Sequence, residues 1–264
     1  MSSETTSPNL PSDAPRVGLF VTCLVDLMRP SVGFAALRLL ERAGAKVVVP
    51  EKQTCCGQPA YNSGDLENTR IIAKGVIEAF ADFDHVVAPS GSCVGMIVEH
   101  YPKLFPGDAD WRAKAENLAA RTFELTTYLA DHLDLNKTGA VFEGSATYHD
   151  SCAGLRELGV KKQPRTLLAT VDGLTLNEME ETEACCGFGG LFSIKYPDIS
   201  GAIVDKKAGR VEQADADLLL GGDLGCLMNV AGRLKRRKSG VRVFHIAEVL
   251  AGMTEGPGIG EDRD

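Results

Sequence analysis

The chain has 264 residues, with 28 basic and 36 acidic side chains and a formal charge of −8. At 44% hydrophobic and 24% charged residues it has the composition of a globular protein with a sizeable core, which excludes disorder, collagen-like repeats and coiled coil as the main architecture. The acidic balance argues against non-specific nucleic-acid binding, which needs a basic surface to displace counterions. Eight cysteines are too few for a disulfide scaffold, yet more than an ordinary intracellular enzyme needs.

The chain opens on a polar, Pro-containing segment with neither the basic start nor the apolar centre of a secretory signal, so residues 1–15 are expected to be a disordered tail. No run approaches the roughly 18 apolar residues of a membrane span. The expected location is cytoplasmic, with any membrane association made through partners. In that compartment thiols stay reduced, and clustered cysteines bind metal or do redox chemistry.

Val17–Thr22 is a short apolar run bounded by loops and predicts a buried strand. Ser31–Ala43 places Phe34, Leu37 and Leu40 at helical spacing and stops at Gly44, a C-cap signal. A β-branched strand over Lys46–Pro50, a helix over Asp65–Phe83, a strand over His85–Pro89 and a helix after Cys93 follow. The alanine-rich, amphipathic stretch Trp111–Leu135 predicts one helix bridging two halves, within residues 109–140.

The second half repeats the order. Strands are expected at Ala146–Asp150, Leu174–Met179, Asp217–Leu220 and Val241–His245, with helices at Lys162–Val171, Ser200–Gln213 and Leu227–Arg237. This alternation predicts an α/β fold of two repeated Rossmann-like βα units with parallel sheets, over residues 16–108 and 141–251. The Gly- and acid-rich segment 252–264 is expected to be a second disordered tail.

The cysteines carry the clearest repeat. Cys23, the pair Cys55-Cys56-Gly57 and Cys93 are matched by Cys152, the pair Cys185-Cys186-Gly187 and Cys226, at offsets of 129, 130, 130 and 133 residues. Each CCG follows an expected strand, and each third-position cysteine follows one through a Gly-containing turn. In a parallel α/β unit the loops leaving the carboxyl ends of neighbouring strands open on one edge of the sheet, so three loops per half can bring four thiols to a point. Helix N-termini beginning after these loops favour thiolates and supply N–H groups to sulfur.

Four converging thiolates in a reducing compartment read as a metal site. Zinc usually comes with C-x2-C knuckles, which are absent, and a vicinal Cys-Cys pair is an awkward chelate for one ion. It suits an object with several metal atoms, which favours an iron–sulfur cluster. A structural zinc site acting in assembly and a thiol–disulfide redox enzyme using the CCG pairs stand as alternatives.

The twice-repeated cysteine, CCG, cysteine pattern resembles the cysteine-rich CCG domain, found in heterodisulfide reductases, the glycolate oxidase iron–sulfur subunit and lactate utilization protein A. Tyr148-His-Asp-Ser-Cys152, Cys185-Cys-Gly-Phe-Gly-Gly190 and Gly225-Cys-Leu-Met-Asn229 are most similar to the lactate utilization type, over roughly residues 16–251. The resemblance implies an iron–sulfur electron-transfer subunit of an L-lactate (2-hydroxy acid) oxidising complex that yields pyruvate. It implies work with separate partner subunits and an unidentified acceptor, not catalysis by this chain alone. Cys23, Cys55, Cys56 and Cys93 would hold one cluster and Cys152, Cys185, Cys186 and Cys226 the other. Heterodisulfide reductase-like members have C-x-x-C at the third position, where this chain has Met96 and Asn229. Four thiols per repeat fit a [4Fe-4S] cubane, one or two per chain.

Other features have plainer readings. His149, three residues before Cys152, is a candidate ligand or proton donor, but a strand-end histidine bonded to backbone is the simpler expectation, and Phe20 stands at the equivalent place. His85 and His245 fall on strands and are expected to be structural. Gly187-Phe-Gly-Gly190 lacks dinucleotide-fingerprint spacing, and the basic run Arg233–Lys238 reads as a solvated helix end. No catalytic Ser/His/Asp order, P-loop or paired-acid signature is present.

Overall fold

A computed structural model describes residues 14–262; the first 13 residues of the expected N-terminal tail lie outside them. The first half runs β1 (Arg16–Leu19), α1 (Cys23–Met28), α2 (Pro30–Arg42), β2 (Lys46–Val48), α3 (Gln58–Asn62), α4 (Leu66–Ala79), β3 (His85–Ala88) and α5 (Gly91–Gly95). A π turn (Met96–His100) and a 3-10 turn (Tyr101–Leu104) continue from α5, before α6 (Ala109–Ala120), β4 (Thr122–Glu124) and α7 (Leu125–Thr127). The second half runs β5 (Val141–His149), α8 (Cys152–Leu158), α9 (Lys162–Leu168), β6 (Asp172–Leu176), α10 (Phe192–Lys195), α11 (Pro197–Gln213), β7 (Leu218–Gly221), α12 (Leu224–Arg237), β8 (Arg242–His245) and α13 (Ile246–Leu250).

The strands form two four-stranded parallel sheets of one topology, β2-β1-β3-β4 and β6-β5-β7-β8. In each, the chain reverses direction across the sheet between the first and third strands, so the switch points lie between β1 and β3 and between β5 and β7. Crevices at the carboxyl ends of such strands are where α/β sheets take their ligands. The two-unit α/β expectation therefore holds.

Burial explains the elements. The central strands β3 and β7 are almost wholly apolar and buried, as strands covered on both faces must be. In α2 the buried residues Val32, Ala35, Ala36, Leu39 and Leu40 recur at helical spacing, and Gly44 ends the element at φ +91°. In α4 the Asp65 carboxylate accepts the Asn68 N–H, and Ala73, Val76 and Ile77 face inward. One hydrophobic cluster joins the halves, from Val17 and Leu39 through Tyr128 and Tyr148 to Leu219 and Phe244.

Two expectations are corrected. The single bridging helix over Trp111–Leu135 is instead α6, the strand β4, α7 and a π turn at Tyr128–His132. Thr122 packs at the start of β4, whose pairing with β3 completes the first sheet. The second expected tail is ordered over residues 252–262, its last two residues lying outside the described ones: Ile259 is buried and its N–H donates to the Val243 carbonyl at 2.7 Å along the outer edge of β8. Backbone bonding holds it there, which composition does not register.

Candidate metal centre

All eight cysteines line one cleft of about 580 Å³ between the two halves. Cys23 and Cys152 are the first residues of α1 and α8, and Cys93 and Cys226 are the third residues of α5 and α12. The repeat thus places its first- and third-position thiols in the opening turn of a helix, where unpaired amides and the dipole favour negative charge. Cys56, Cys93, Cys186 and Cys226 are buried, Cys23 and Cys55 half-buried, and Cys152 and Cys185 exposed. Every site cysteine expected from the sequence is brought to this cleft.

The glycine of each CCG has a definite task. Gly57 and Gly187 sit at φ +83° and +81°, a left-handed conformation that costs a side-chain-bearing residue energy. That turn directs the Gly57 N–H to Cys55 Sγ at 3.4 Å and the Gly187 N–H to Cys185 Sγ at 3.3 Å. At Gly187 a Cβ would also stand 2.8 Å from the Ser200 carbonyl oxygen. The position three residues after each third cysteine carries no thiol. Asn229 Nδ2 donates instead to the Cys186 carbonyl at 2.9 Å, and in the first half Tyr101 Oη donates to the Cys56 carbonyl at 2.8 Å.

The thiols crowd one another. The hydrogen bond with Cys55, then burial, pushes Cys23 up, while the bonds from Cys23 and Cys56 pull Cys55 down. Bonds with Cys55 and Cys93 together with burial push Cys56 well up. In the second half Cys186 Sγ lies 2.8 Å from Cys226 Sγ, and contact with Cys186 pushes Cys185 up. Such a set resists losing its protons together unless a cation takes their place on the sulfurs. Four soft donors, N–H groups aimed at sulfur and helix N-termini at four of the eight positions fit a thiolate-bound iron–sulfur centre in each half.

The halves differ around their quartets. Thr22, just before Cys23, has φ +76°, a strained conformation for a β-branched residue, whereas Ser151 before Cys152 has φ −65° and caps α8. His149 is buried at the end of β5, and burial together with the Lys207 ammonium holds its pKa down to about 3. Its Nδ1 meets the Thr182 carbonyl at 3.3 Å, the backbone bond expected for it. His85 Nδ1 meets Tyr128 Oη at 2.7 Å, and His245 caps α13 while its Nε2 donates to the Pro89 carbonyl at 3.1 Å; both serve structure.

Several residues at the site escaped the sequence. Lys207 is fully buried and donates from Nζ to the carbonyls of Glu181 and Thr182, holding the loop that leads to Cys185; on a polar helix it gives no signal. Buried Asp150 pairs with Arg165 at 2.7 Å. Tyr61, His100, Glu157 and Ile194 also line the cleft. The basic run is spent on neighbours: Arg233 and Arg237 pair with Asp205, Arg237 with Glu212 and Lys235 with Asp262.

Comparison with known proteins agrees with this arrangement. The family described as Cysteine-rich domain (CCG) matches residues 17–98 and 146–231. Lactate utilization protein A of Geobacillus kaustophilus is 53% identical over 235 residues, covering 89% of this chain and 98% of that protein. Lactate utilization protein A of an Exiguobacterium species is 51% identical over 238 residues, covering 89% and 97%. A crystal structure of a hypothetical protein from Helicobacter pylori superposes with a TM-score of 0.57 at 13% identity, covering 96% of this chain and 52% of that one, a likeness of fold.

Proposed function

The chain belongs to the cysteine-rich CCG-domain family and, within it, to the family of lactate utilization protein A, and from that membership we propose that it serves lactate utilization as an iron–sulfur electron carrier. Cys23, Cys55, Cys56 and Cys93 hold one [4Fe-4S] cluster in the first half of the chain. Cys152, Cys185, Cys186 and Cys226 hold the second in the repeat 141–251. The observation that carries this reading is the convergence of both quartets on one cleft, with matched N–H to sulfur bonds from Gly57 and Gly187.

Oxidation of an L-2-hydroxy acid such as lactate to pyruvate releases two electrons and two protons. A cluster bound by these thiols supplies one-electron storage, and two such sites in one chain match the two electrons released. The residues do the rest. Gly57 and Gly187 donate to sulfur, Tyr101 and Asn229 hold the CCG backbone, and Lys207 fixes the loop before Cys185. Oxidation of the substrate itself is assigned to partner polypeptides of the same complex, in the cytoplasm. No helix among the described residues is long and apolar enough to cross a membrane.

Anaerobic purification with iron and sulfide analysis tests this. The expected protein is coloured, with iron and acid-labile sulfide in equal amounts. Cys56→Ala and Cys186→Ala should each lose about half of the iron, and the double variant all of it. Colourless protein with stoichiometric zinc overturns the reading. The 2.8 Å contact of Cys186 with Cys226 favours one rival, a thiol–disulfide site. That rival requires freely titratable thiols and no visible absorption.

A further inference from the structure

His149 closes the inner end of the second quartet. Its Nε2 is buried and has no hydrogen-bond partner among the described residues. A ring nitrogen of His149, Cys186 Sγ and Cys226 Sγ all lie within 4.8 Å of one another, and all three residues are buried. Buried polar atoms are nearly always satisfied, so an orphan in a ring packed beside two thiols marks a missing partner.

The other ring nitrogen decides what Nε2 offers. The Thr182 carbonyl is an acceptor only, so Nδ1 must carry the proton in the 3.3 Å contact. The same carbonyl takes the Asp150 N–H at 3.1 Å and the Lys207 ammonium at 2.8 Å, which fixes its direction. With the proton on Nδ1, the Nε2 lone pair is left unused in the buried site beside Cys186 and Cys226. A ring nitrogen oriented by a carbonyl bond on its far side is the usual build of a metal-binding histidine. In the first half the matching place is held by Phe20, fully buried edge-on against Phe80, which offers no donor.

We propose that His149 Nε2 is a metal ligand of the second centre beside Cys186 and Cys226, so that the first centre is bound by thiolate alone and the second by thiolate and imidazole. This rests on the reading of the quartets as iron–sulfur sites. With His149 the second half has five donors for four irons; of its two exposed thiols Cys185 keeps the Gly187 N–H, so Cys152 is the one displaced, which revises the second quartet at that position. Replacing a thiolate by a neutral imidazole raises a cluster's potential, and the Lys207 ammonium adds in the same direction. The second centre is thereby the stronger electron acceptor, and electrons pass from the first-half site to it.

The test uses the full chain, prepared anaerobically with natural and with nitrogen-15-labelled histidine, and pulsed electron paramagnetic resonance of the reduced protein. A strongly coupled nitrogen that changes with the label is expected. It should persist in Cys56→Ala, disappear in His149→Phe, and be accompanied in that variant by a lower potential of the second centre. Cys152→Ala should keep its iron, whereas Cys186→Ala should not. The labelled unsubstituted protein carries the test if His149→Phe fails to fold. Iron-loaded protein without histidine coupling overturns this inference and leaves the quartets standing, as does a coupling that follows His100→Asn instead. Protein without iron overturns both.

Discussion

Asp223 in the second half accepts the backbone N–H of Ser92 in the first at 3.0 Å, while giving no side-chain cap to its own helix α12. The Ser90 hydroxyl donates to the same carboxylate at 3.4 Å and accepts the Cys93 N–H at 3.3 Å. The turn that presents Cys93 is thus held by an acid from the opposite repeat. Asp223→Ala should cost about 1–2 kcal/mol by loss of the cap, and Asp223→Asn, which keeps an acceptor, should recover most of it. Thermal unfolding of the metal-free variants measures this. Iron analysis should show the first-half site depleted before the second, and equal depletion would refute the cross-repeat cap.

The halves also meet where two backbones touch. A Cβ on Gly91 would lie 2.8 Å from the Gly154 Cα and 3.0 Å from its nitrogen, both backbone atoms that cannot swing aside. Gly91→Ala should therefore destabilise by about 1–3 kcal/mol through overpacking. Gly95→Ala, one turn along, meets only the carboxylate end of Glu157, which can swing aside, and should cost much less. Comparing denaturation midpoints of the two variants separates a backbone clash from a general intolerance of side chains on this helix.

What was legible in the sequence follows from what each residue must do. Thiols that converge on one cleft are pinned to the carboxyl ends of strands, so Cys23 and Cys152, or Cys93 and Cys226, keep nearly constant offsets and reveal the repeat. Strand β4 was not legible, because Thr122-Phe-Glu124 is too short to break the amphipathic pattern on either side of it. The order of Gly252–Asp262 was hidden because carbonyl and amide bonds hold it. Lys207 looks like any surface lysine until α11 is packed. Asp223 and Glu124 act across the repeat boundary, and no local pattern reports a contact between residues so far apart.

Glu124 gives a pH dependence. It is the N-cap of α7, and its Oε2 accepts the Thr126 N–H at 2.8 Å, the Thr127 N–H at 3.1 Å and the Thr126 hydroxyl. Burial, opposed by those bonds and reinforced by Asp223, raises its pKa to about 7; Tyr148 also faces it. The folded protein binds this proton more tightly than the unfolded chain. The stabilisation is full below about pH 4.5 and is lost as pH rises through about 7. Glu124→Gln keeps an acceptor for α7 and carries no charge. At pH 8 it should melt several degrees higher than the parent, by an amount on the order of 3 kcal/mol, and at pH 4.5 the two should melt alike. Parallel melting curves at the two pH values check this, and a difference that does not change with pH removes Glu124 as its source.

Glu248 ties the two halves and the C-terminal segment together. It is fully buried: Oε1 accepts Arg29 Nε at 2.9 Å and the Ser31 hydroxyl at 2.7 Å, and Oε2 accepts the His245 N–H at 3.0 Å. Arg29 reaches on through its second arm to the Pro257 carbonyl at 2.8 Å, and its guanidinium lies over the Phe244 ring. Removing the carboxylate leaves a largely buried guanidinium without its counter-charge, which costs far more than the net worth of the pair. Glu248→Gln should lose about 3–5 kcal/mol on that account. Arg29→Met combined with Glu248→Gln should be more stable than Glu248→Gln alone, because the amide still caps α13 and no unpaired charge remains. Only the double variant lacks the bond from Arg29 to Pro257, so limited proteolysis should cut within residues 252–262 faster in it than in the single variant, despite its greater global stability. Equal cutting in the two would mean that the segment is held by the intact ion pair and not by the Arg29 bond to Pro257.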